Sequence, residues 1–486
     1  MSIYLIFLFP SLGFLHILLS SRFSDQITKV ALQWSCLVLV SNFFLLQNQW
    51  SAGLHPIVTL FKKFKGDWLL FEWGSLLLHV DYVSFFFIFL SNLLVVICII
   101  ISWETIKFLK KEFYLCLMAT NILLIGVFVC MDLLLFYICF EAILVPIFLV
   151  ISIWGARKER YKASYYFFFY TLFGSLFMLL SIFKIYGQVG STSSLLLSFI
   201  SVEYQIWFSL AFFLSLAIKV PMFPVHIWLP QAHVEAPVSG SVLLAGILLK
   251  LGGYGFYRFF LPLLSEGLFF ITPMVLMLSI VGIIYASILT IKQTDIKRLI
   301  AYSSVSHMGF VTLGLFSNTI EGFSASIILM VAHGFVSSGL FISATVVYDR
   351  FHSRIIRFYK GLISSMPILG SIFLVLTLAN ISIPGSLNFW GELLAFNASL
   401  SSKNGLWLTI FILLSIVFGA IYSVNLFNSI FFGASNRVNI GGRDVLKGEF
   451  FSLFILSFLA WIIGLFAFNF INTINVNILE IIALSS

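Results

Sequence analysis

Charge is what this chain lacks. Lys, Arg, Asp and Glu together supply only 9% of its 486 residues, against 61% hydrophobic side chains. A surface facing water needs far more charge, so a soluble globular fold is excluded, in keeping with a mean hydropathy of +1.09. Cysteine is also sparse. The five copies (Cys36, Cys98, Cys116, Cys130 and Cys139) fall inside apolar stretches with no CxxC pair. They read as small packing residues, with no thiolate set for an iron–sulfur cluster. No GxGxxG follows a strand-like segment and no GxxxxGKS/T is present, so a nucleotide site is not expected. The start, MSIYLIFLFP, has no basic flank and is read as neither a signal peptide nor an Arg-rich transit peptide.

What is present is apolar sequence in long pieces. About fourteen runs reach spanning length, among them 82–102, 113–131, 133–154, 205–234, 239–262, 297–316, 320–347 and 366–400. Strands of a membrane barrel would be about ten residues long and alternate in polarity, which these do not. The expected fold is an all-α polytopic membrane protein. The net charge of +8 sits in short connections between runs, a topology signal that does not point to nucleic acid. With spans counted alternately from outside, basic residues such as Lys107, Lys110, Arg157, Lys158, Lys292, Lys297, Arg298, Arg350 and Arg354 gather in the odd-numbered loops. The even-numbered side has Lys62, Lys63, Lys65, Lys184, Arg258 and Lys403. This bias, roughly three to one, places both termini on the non-cytoplasmic, or non-matrix, face.

Two runs are interrupted at related places. One reads IKVPMFPVHIWLP, with Pro221 and Pro224; the other reads ANISIPGSLNFWGE, with Pro384 and Gly385. Proline removes a backbone donor and disturbs the preceding turn, so each run is expected to unwind near mid-membrane. The breaks lie five spans apart, an odd number, so a second copy of the unit must lie inverted relative to the first. The expected organisation is three N-terminal membrane helices (1–110), a first repeat (111–265), an inverted second repeat (266–435), and a C-terminal loop with a last helix (436–486).

Four charged residues lie deep in the runs: Glu141, Lys219, Lys250 and Glu392. A lone charge at a helix centre costs about 2.5–3.5 kcal/mol on insertion scales. Their presence therefore points to an ion or proton path. Glu141 and Lys219 form the natural pair, either as a switchable couple or as a static bridge that fixes helix register. Lys250 stands about ten residues from either end of its run, too deep to snorkel, and is followed by Gly252, Gly253 and Gly255. His307 and His333 are mid-run beside Ser303, Ser304, Ser306, Ser337 and Ser338, as a hydrated relay would be. His226 and His233 follow the first break and are further candidates for proton transfer. Seven residues apart, they lack the i,i+4 spacing of a helical zinc pair, so no metal site is expected. His16, His55, His79 and His352 lie near run ends or loops and receive no role.

Three segments carry a resemblance. VPMFPVHIWLPQAHVEAPVSGSVLLAGILLKLGGYG (220–255), DIKRLIAYSSVSHMGF (295–310) and MVAHGFVSSGLF (330–341) resemble the antiporter-like membrane subunits of respiratory complex I. The likeness covers roughly residues 110–430. The acidic residue in the second broken run resembles the subunit 4 branch; subunits 2 and 5 typically carry lysine there. The resemblance implies that Glu141 and Lys219 are the coupling pair, Lys250 the central proton carrier and Glu392 the terminal protonatable residue, with His307 and His333 on the hydrated axis. It implies a subunit of proton-translocating NADH:ubiquinone reductase that binds no cofactor itself, with NADH, FMN, iron–sulfur clusters and ubiquinone belonging to other subunits. The implied partners are the other membrane-arm subunits, especially subunits 2 and 5, and membrane lipids. The implied location is the mitochondrial inner membrane, with bacterial plasma membrane or thylakoid as alternatives. A subunit of a multi-subunit cation/proton antiporter and a non-pumping structural subunit remain as competing readings.

Overall fold

The protein is described by a computed structural model over residues 2–20, 26–51, 78–193, 202–401, 405–434 and 443–485. Arg22, His55, Lys62, Lys63, Lys65, Lys403 and Arg437 lie outside the described residues. Among the described residues every named element is helical. Three helices lead the chain: α1 (Ser2–Leu19), α2 (Ile27–Ser51) and α3 (Tyr82–Thr105). Next come α4 (Lys110–Val129), α5 (Leu133–Trp154), α6 (Arg160–Val189), the broken pair α7 (Val202–Lys219) and α8 (Trp228–Glu235), and α9 (Val238–Leu263). The same order follows in α10 (Ser265–Lys292), α11 (Ile296–Phe316), α12 (Ile320–Phe351), the broken pair α13 (Pro367–Asn380) and α14 (Leu387–Ser401), and α15 (Gly405–Phe431). α16 (Lys447–Leu465) and α17 (Ala467–Ser485) close the chain. In both series the broken helix is the fourth span.

Ten of the described helices are long and apolar enough to cross a membrane. They coincide with ten of the runs read from sequence; the count of fourteen is not reached by that measure. Their burial sorts them into layers. The most apolar stretch is entirely buried in α12 and 94% buried in α9 and α11, whereas in α6 it is 39% and in α15 33% buried. A helix buried all round belongs to the centre of a bundle, and one with an apolar exposed face belongs against lipid. The three central helices carry Lys250, His307 and His333.

Local chemistry sets the helix ends. Asp81 caps α3 by accepting from Ser84 N at 2.7 Å. Asp132 caps α5 through Leu134 N and Leu135 N at 2.9 and 3.0 Å, and Thr319 caps α12 through Gly322 N at 3.1 Å. These bonds satisfy donors that a helix start leaves without a partner. At the first break, Trp228 Nε1 donates to Ile218 O at 3.0 Å, occupying a carbonyl freed by the unwinding. At the second, Gly385 takes φ +98°, a conformation that side chains bearing a Cβ rarely adopt.

Two glycines allow the site helices to close. A Cβ on Gly252 of α9 would lie 2.6 Å from Val220 Cγ2 and 2.9 Å from Leu216 O. One on Gly391 of α14 would lie 2.5 Å from Leu329 Cγ of α12. Gly252 thus holds α9 directly against the first break, the close backbone approach that the glycine run suggested. Gly252→Ala is expected to force α9 and α7 apart and cost about 1–3 kcal/mol, lowering the temperature at which the assembled protein inactivates. Gly187→Ala on α6, whose new methyl would meet no atom within 4 Å, is expected to be neutral in the same measurement.

Candidate functional site: a row of buried charges

Glu141 is the last residue but one of the helical piece Leu133–Ala142, just before the interruption at Ile143 that separates it from Leu144–Trp154. Lys219 is the last residue of α7, at the lip of the first break. The two meet across the bundle, Lys219 Nζ lying 3.8 Å from Glu141 Oε1. The ammonium also donates to Phe140 O at 2.7 Å and lies over the Phe140 ring, 3.5 Å from its centroid. The lysine is thus solvated by a carbonyl, an aromatic face and a carboxylate. At 3.8 Å the pair is too long for a direct hydrogen bond. A proton can pass between them only through water or a small closure.

Lys250 is fully buried on α9. Two π-helical turns, Leu244–Leu248 and Phe256–Phe260, flank the α-helical turn that carries it. Such turns shift the hydrogen-bond register and release carbonyls. Lys250 Nζ takes advantage of this, donating to Ala245 O one turn back. It also stands 2.8 Å from His333 Nδ1 on α12. As a donating ammonium it requires Nδ1 unprotonated, which places the proton of a neutral His333 ring on Nε2.

From His333 the row continues. The His333 and His307 ring centroids are 5.6 Å apart. His307 Nε2 is 3.1 Å from Asn380 Oδ1, at the last residue of α13 before the second break. His307 Nδ1 is 3.5 Å from Glu392 Oε1 on α14. A small cavity lined by Ser306, His307, Asn380, Glu392, Ser415 and Tyr422, with room for about one water, opens beside these groups. Lys250, His333, His307 and Glu392 therefore stand in one row of buried titratable groups that runs from the first series of helices into the second.

The two histidines after the first break pack against aromatic rings. His226 is packed among Phe223, Tyr285 and Tyr302, with centroid separations of 5.8, 5.7 and 6.3 Å. His233 stacks on Phe341 at 4.5 Å. Among the described residues no group of three or more His, Cys, Asp or Glu side chains could hold a metal.

The sequence reading missed several buried charges. Arg258 and Arg354, counted there as loop or interfacial cations, are buried in ion pairs with Asp81 at 2.9 Å and Glu235 at 3.1 Å. His79, given no role, lies 3.3 Å from Arg258 Nη2. Burial, with the neighbouring guanidinium, pushes its ring down to about 4, so it is neutral at pH 7. Lys297, also counted as a loop cation, is buried and donates to Ala236 O at 3.2 Å. All these residues fall within a few positions of a run end, where hydropathy cannot separate interface from interior.

Paired broken helices around a row of buried carboxylate, lysine and imidazole define an ion-translocating membrane subunit of the antiporter-like class. Residues 130–419 match the family described as NADH:quinone oxidoreductase/Mrp antiporter, TM. NADH-ubiquinone oxidoreductase chain 4 of Metridium senile is 49% identical over 463 residues, covering 95% of this chain and 94% of its own. That of Chondrus crispus is 44% identical over 483 residues, covering 98% and 96%. A chain in the structure of respiratory complex I from Thermus thermophilus with bound NADH superimposes with a TM-score of 0.87 at 29% identity, covering all of both chains. The chain belongs to the NADH:quinone oxidoreductase/Mrp antiporter family and, within it, to the NADH-ubiquinone oxidoreductase chain 4 proteins.

If Glu141 and Lys219 interact, each is the other's compensation. Glu141→Gln alone leaves a buried cation, a loss of about 3–5 kcal/mol where nothing relaxes. The charge-swapped double variant, Glu141→Lys with Lys219→Glu, is expected to assemble better than either single variant on a native gel. Strictly additive losses would show that the 3.8 Å contact carries no coupling.

Proposed function

We propose that this chain is a membrane-arm subunit of complex I that moves protons across the membrane, driven by electron transfer from NADH to quinone in other subunits. The observation that carries the proposal is the row of buried titratable groups Lys250, His333, His307 and Glu392, together with the buried Glu141–Lys219 pair. Lys250 is the central carrier. Its ammonium gives a proton to His333 Nδ1; His333 releases its Nε2 proton toward His307; and His307 passes one from Nδ1 to the Glu392 carboxylate. Each step moves one proton, and each imidazole must return to its starting tautomer, by reorientation or by exchange with water, before it is loaded again. The Glu141–Lys219 pair sets the tendency of Lys250 to hold its proton, because a paired Lys219 repels it less than a free one. His226 steadies the first break through its aromatic neighbours.

In this reading the two helix series, 111–265 and 266–435, are inverted repeats whose broken helices bring water to mid-membrane. Residues 1–110 and 436–486 brace them. The chain holds no redox centre; NADH, FMN, iron–sulfur clusters and ubiquinone serve in other subunits. Its neighbours are the antiporter-like subunits 2 and 5 and membrane lipids. The membrane is the mitochondrial inner membrane, with both termini on the intermembrane-space side, a reading that the loop charges support.

Lys250→Ala is expected to abolish most NADH-driven pumping in proteoliposomes and to slow coupled NADH oxidation while the complex still assembles. Lys250→Arg is expected to fail likewise, since a guanidinium with a pKa above about 12 does not release its proton. Glu392→Asp keeps a titratable group and is expected to retain partial activity, whereas Glu392→Gln keeps the shape and is expected to lose nearly all. Normal pumping by Lys250→Arg, or equal and normal pumping by both Glu392 variants, would remove these residues from the proton path.

A further inference from the structure

A buried ion pair outside the row of titratable groups stands on the same helix as Lys250. Arg258 lies eight residues after Lys250 on α9, inside the π-helical turn Phe256–Phe260. Its Nη1 donates to Asp81 Oδ2 at 2.9 Å. Arg258 is only 7% exposed and Asp81 only 5%. Asp81 is also the cap of α3, its Oδ1 accepting from Ser84 N at 2.7 Å and from the Ser84 hydroxyl. Between Lys250 and Arg258, Tyr254 donates from Oη to Phe128 O of α4 at 2.9 Å and lies 3.0 Å from Ser84 Oγ. Arg258 Nη2 comes within 3.3 Å of His79 Nδ1, and His79 N donates to Val129 O at 2.9 Å. One network thus pins the end of α9 to the start of α3 and to the end of α4.

Stability does not account for such a pair. Replacing a buried ion pair by apolar side chains of similar volume is often neutral or stabilising, and the best-attested return on keeping one is a fixed register. Register is what α9 has to control. A π-helical turn carries one residue more than an α-helical turn, and here it is closed by Leu261 N donating to Phe256 O. Relaxation of that turn to α-helix would rotate one part of α9 against the other by about 100° and slide it by about 1.5 Å. Lys250 Nζ stands 2.8 Å from His333 Nδ1 on α12, and a displacement of that size carries the ammonium off the ring. The guanidinium that holds the turn in place sits within the turn itself.

We propose that Asp81 and Arg258 are positioning residues for proton transfer: their ion pair holds the π-helical turn of α9 and so keeps Lys250 aimed at His333. Tyr254 is the second tie, fixing the intervening part of α9 to α3 and α4. The pair carries no proton of its own, because a guanidinium is not deprotonated in proteins. Its effect reaches the row only through the placement of Lys250. This rests on the reading of Lys250 as the central carrier and adds what fixes the carrier in place.

The test uses the assembled complex in liposomes, with NADH-driven acidification normalised to the amount of complex on a native gel. Asp81→Asn combined with Arg258→Met removes both charges together and keeps a side-chain oxygen to cap α3. It is expected to assemble and to pump about tenfold more slowly or worse, as a misplacement of about 1 Å at a reacting group does. Arg258→Lys keeps a cation opposite Asp81 and is expected to recover part of the rate. A pair that served stability alone would lower the amount of complex and leave the rate per complex unchanged. An unchanged rate in the double variant, or an equal loss in Arg258→Lys, therefore overturns the proposal. Should the double variant fail to assemble, Tyr254→Phe decides, since it removes only the hydroxyl that ties α9 to Phe128 O and Ser84; slower pumping supports the proposal and normal pumping overturns it. Lys250→Ala is run alongside. If it pumps normally, the pumping reading itself fails; if it is inactive while the Asp81, Arg258 and Tyr254 variants pump normally, only the positioning role fails.

Discussion

The cost of a charge in hydrocarbon governs this structure. A buried ammonium must find oxygen or π-electron density nearby, and a regular α-helix offers little, because each of its interior carbonyls already accepts one backbone bond. The chain answers by breaking helical regularity at or near the charges of the row. Lys250 lies between two π-helical turns and reaches the Ala245 carbonyl. Lys219 ends α7 at the first break and takes the Phe140 carbonyl, itself next to the interruption of α5 at Ile143. Glu392 follows the second break. Charge and irregular backbone occur together because each makes the other tolerable.

The same arrangement suits reversible proton movement. A single tight ion pair would trap its proton, whereas the contacts here are graded: 2.8 Å from Lys250 to His333, 5.6 Å between imidazole rings, 3.5 Å from His307 to Glu392 and 3.8 Å between Lys219 and Glu141. Short contacts hold a proton, and the longer ones require water or a small closure before it moves on. The longer separations are therefore where control can be exerted. Changes in hydration at the second break, where the cavity beside Glu392 admits about one water, would open or close the line without moving a helix.

Much of the architecture was legible in the sequence. Long apolar runs gave the helices, and prolines 221, 224 and 384 marked the two breaks. The improbability of Glu141, Lys219, Lys250 and Glu392 in apolar surroundings singled out the candidate site. What could not be read is what tertiary packing decides. Lys250 and His333 are 83 residues apart, so no spacing rule links them. Asn380 and Tyr422 are unremarkable in sequence, yet both line the Glu392 cavity. The larger omission was at run ends. Arg258, Lys297 and Arg354 look like loop cations because hydropathy falls there, but neighbouring helices cover them. Glu235 stands one residue beyond the run that was read as ending at 234.

The most direct test of the central claim is an infrared difference spectrum of the complex, oxidised against turning over NADH, compared between the unaltered subunit and Glu392→Gln. The account requires Glu392 to change protonation during turnover. The unaltered complex should show a protonated-carboxyl band that appears or vanishes with NADH, shifts in heavy water and is missing from the variant. Identical carboxyl regions in the two spectra, from complexes that assemble equally, would mean that protons do not travel through this row.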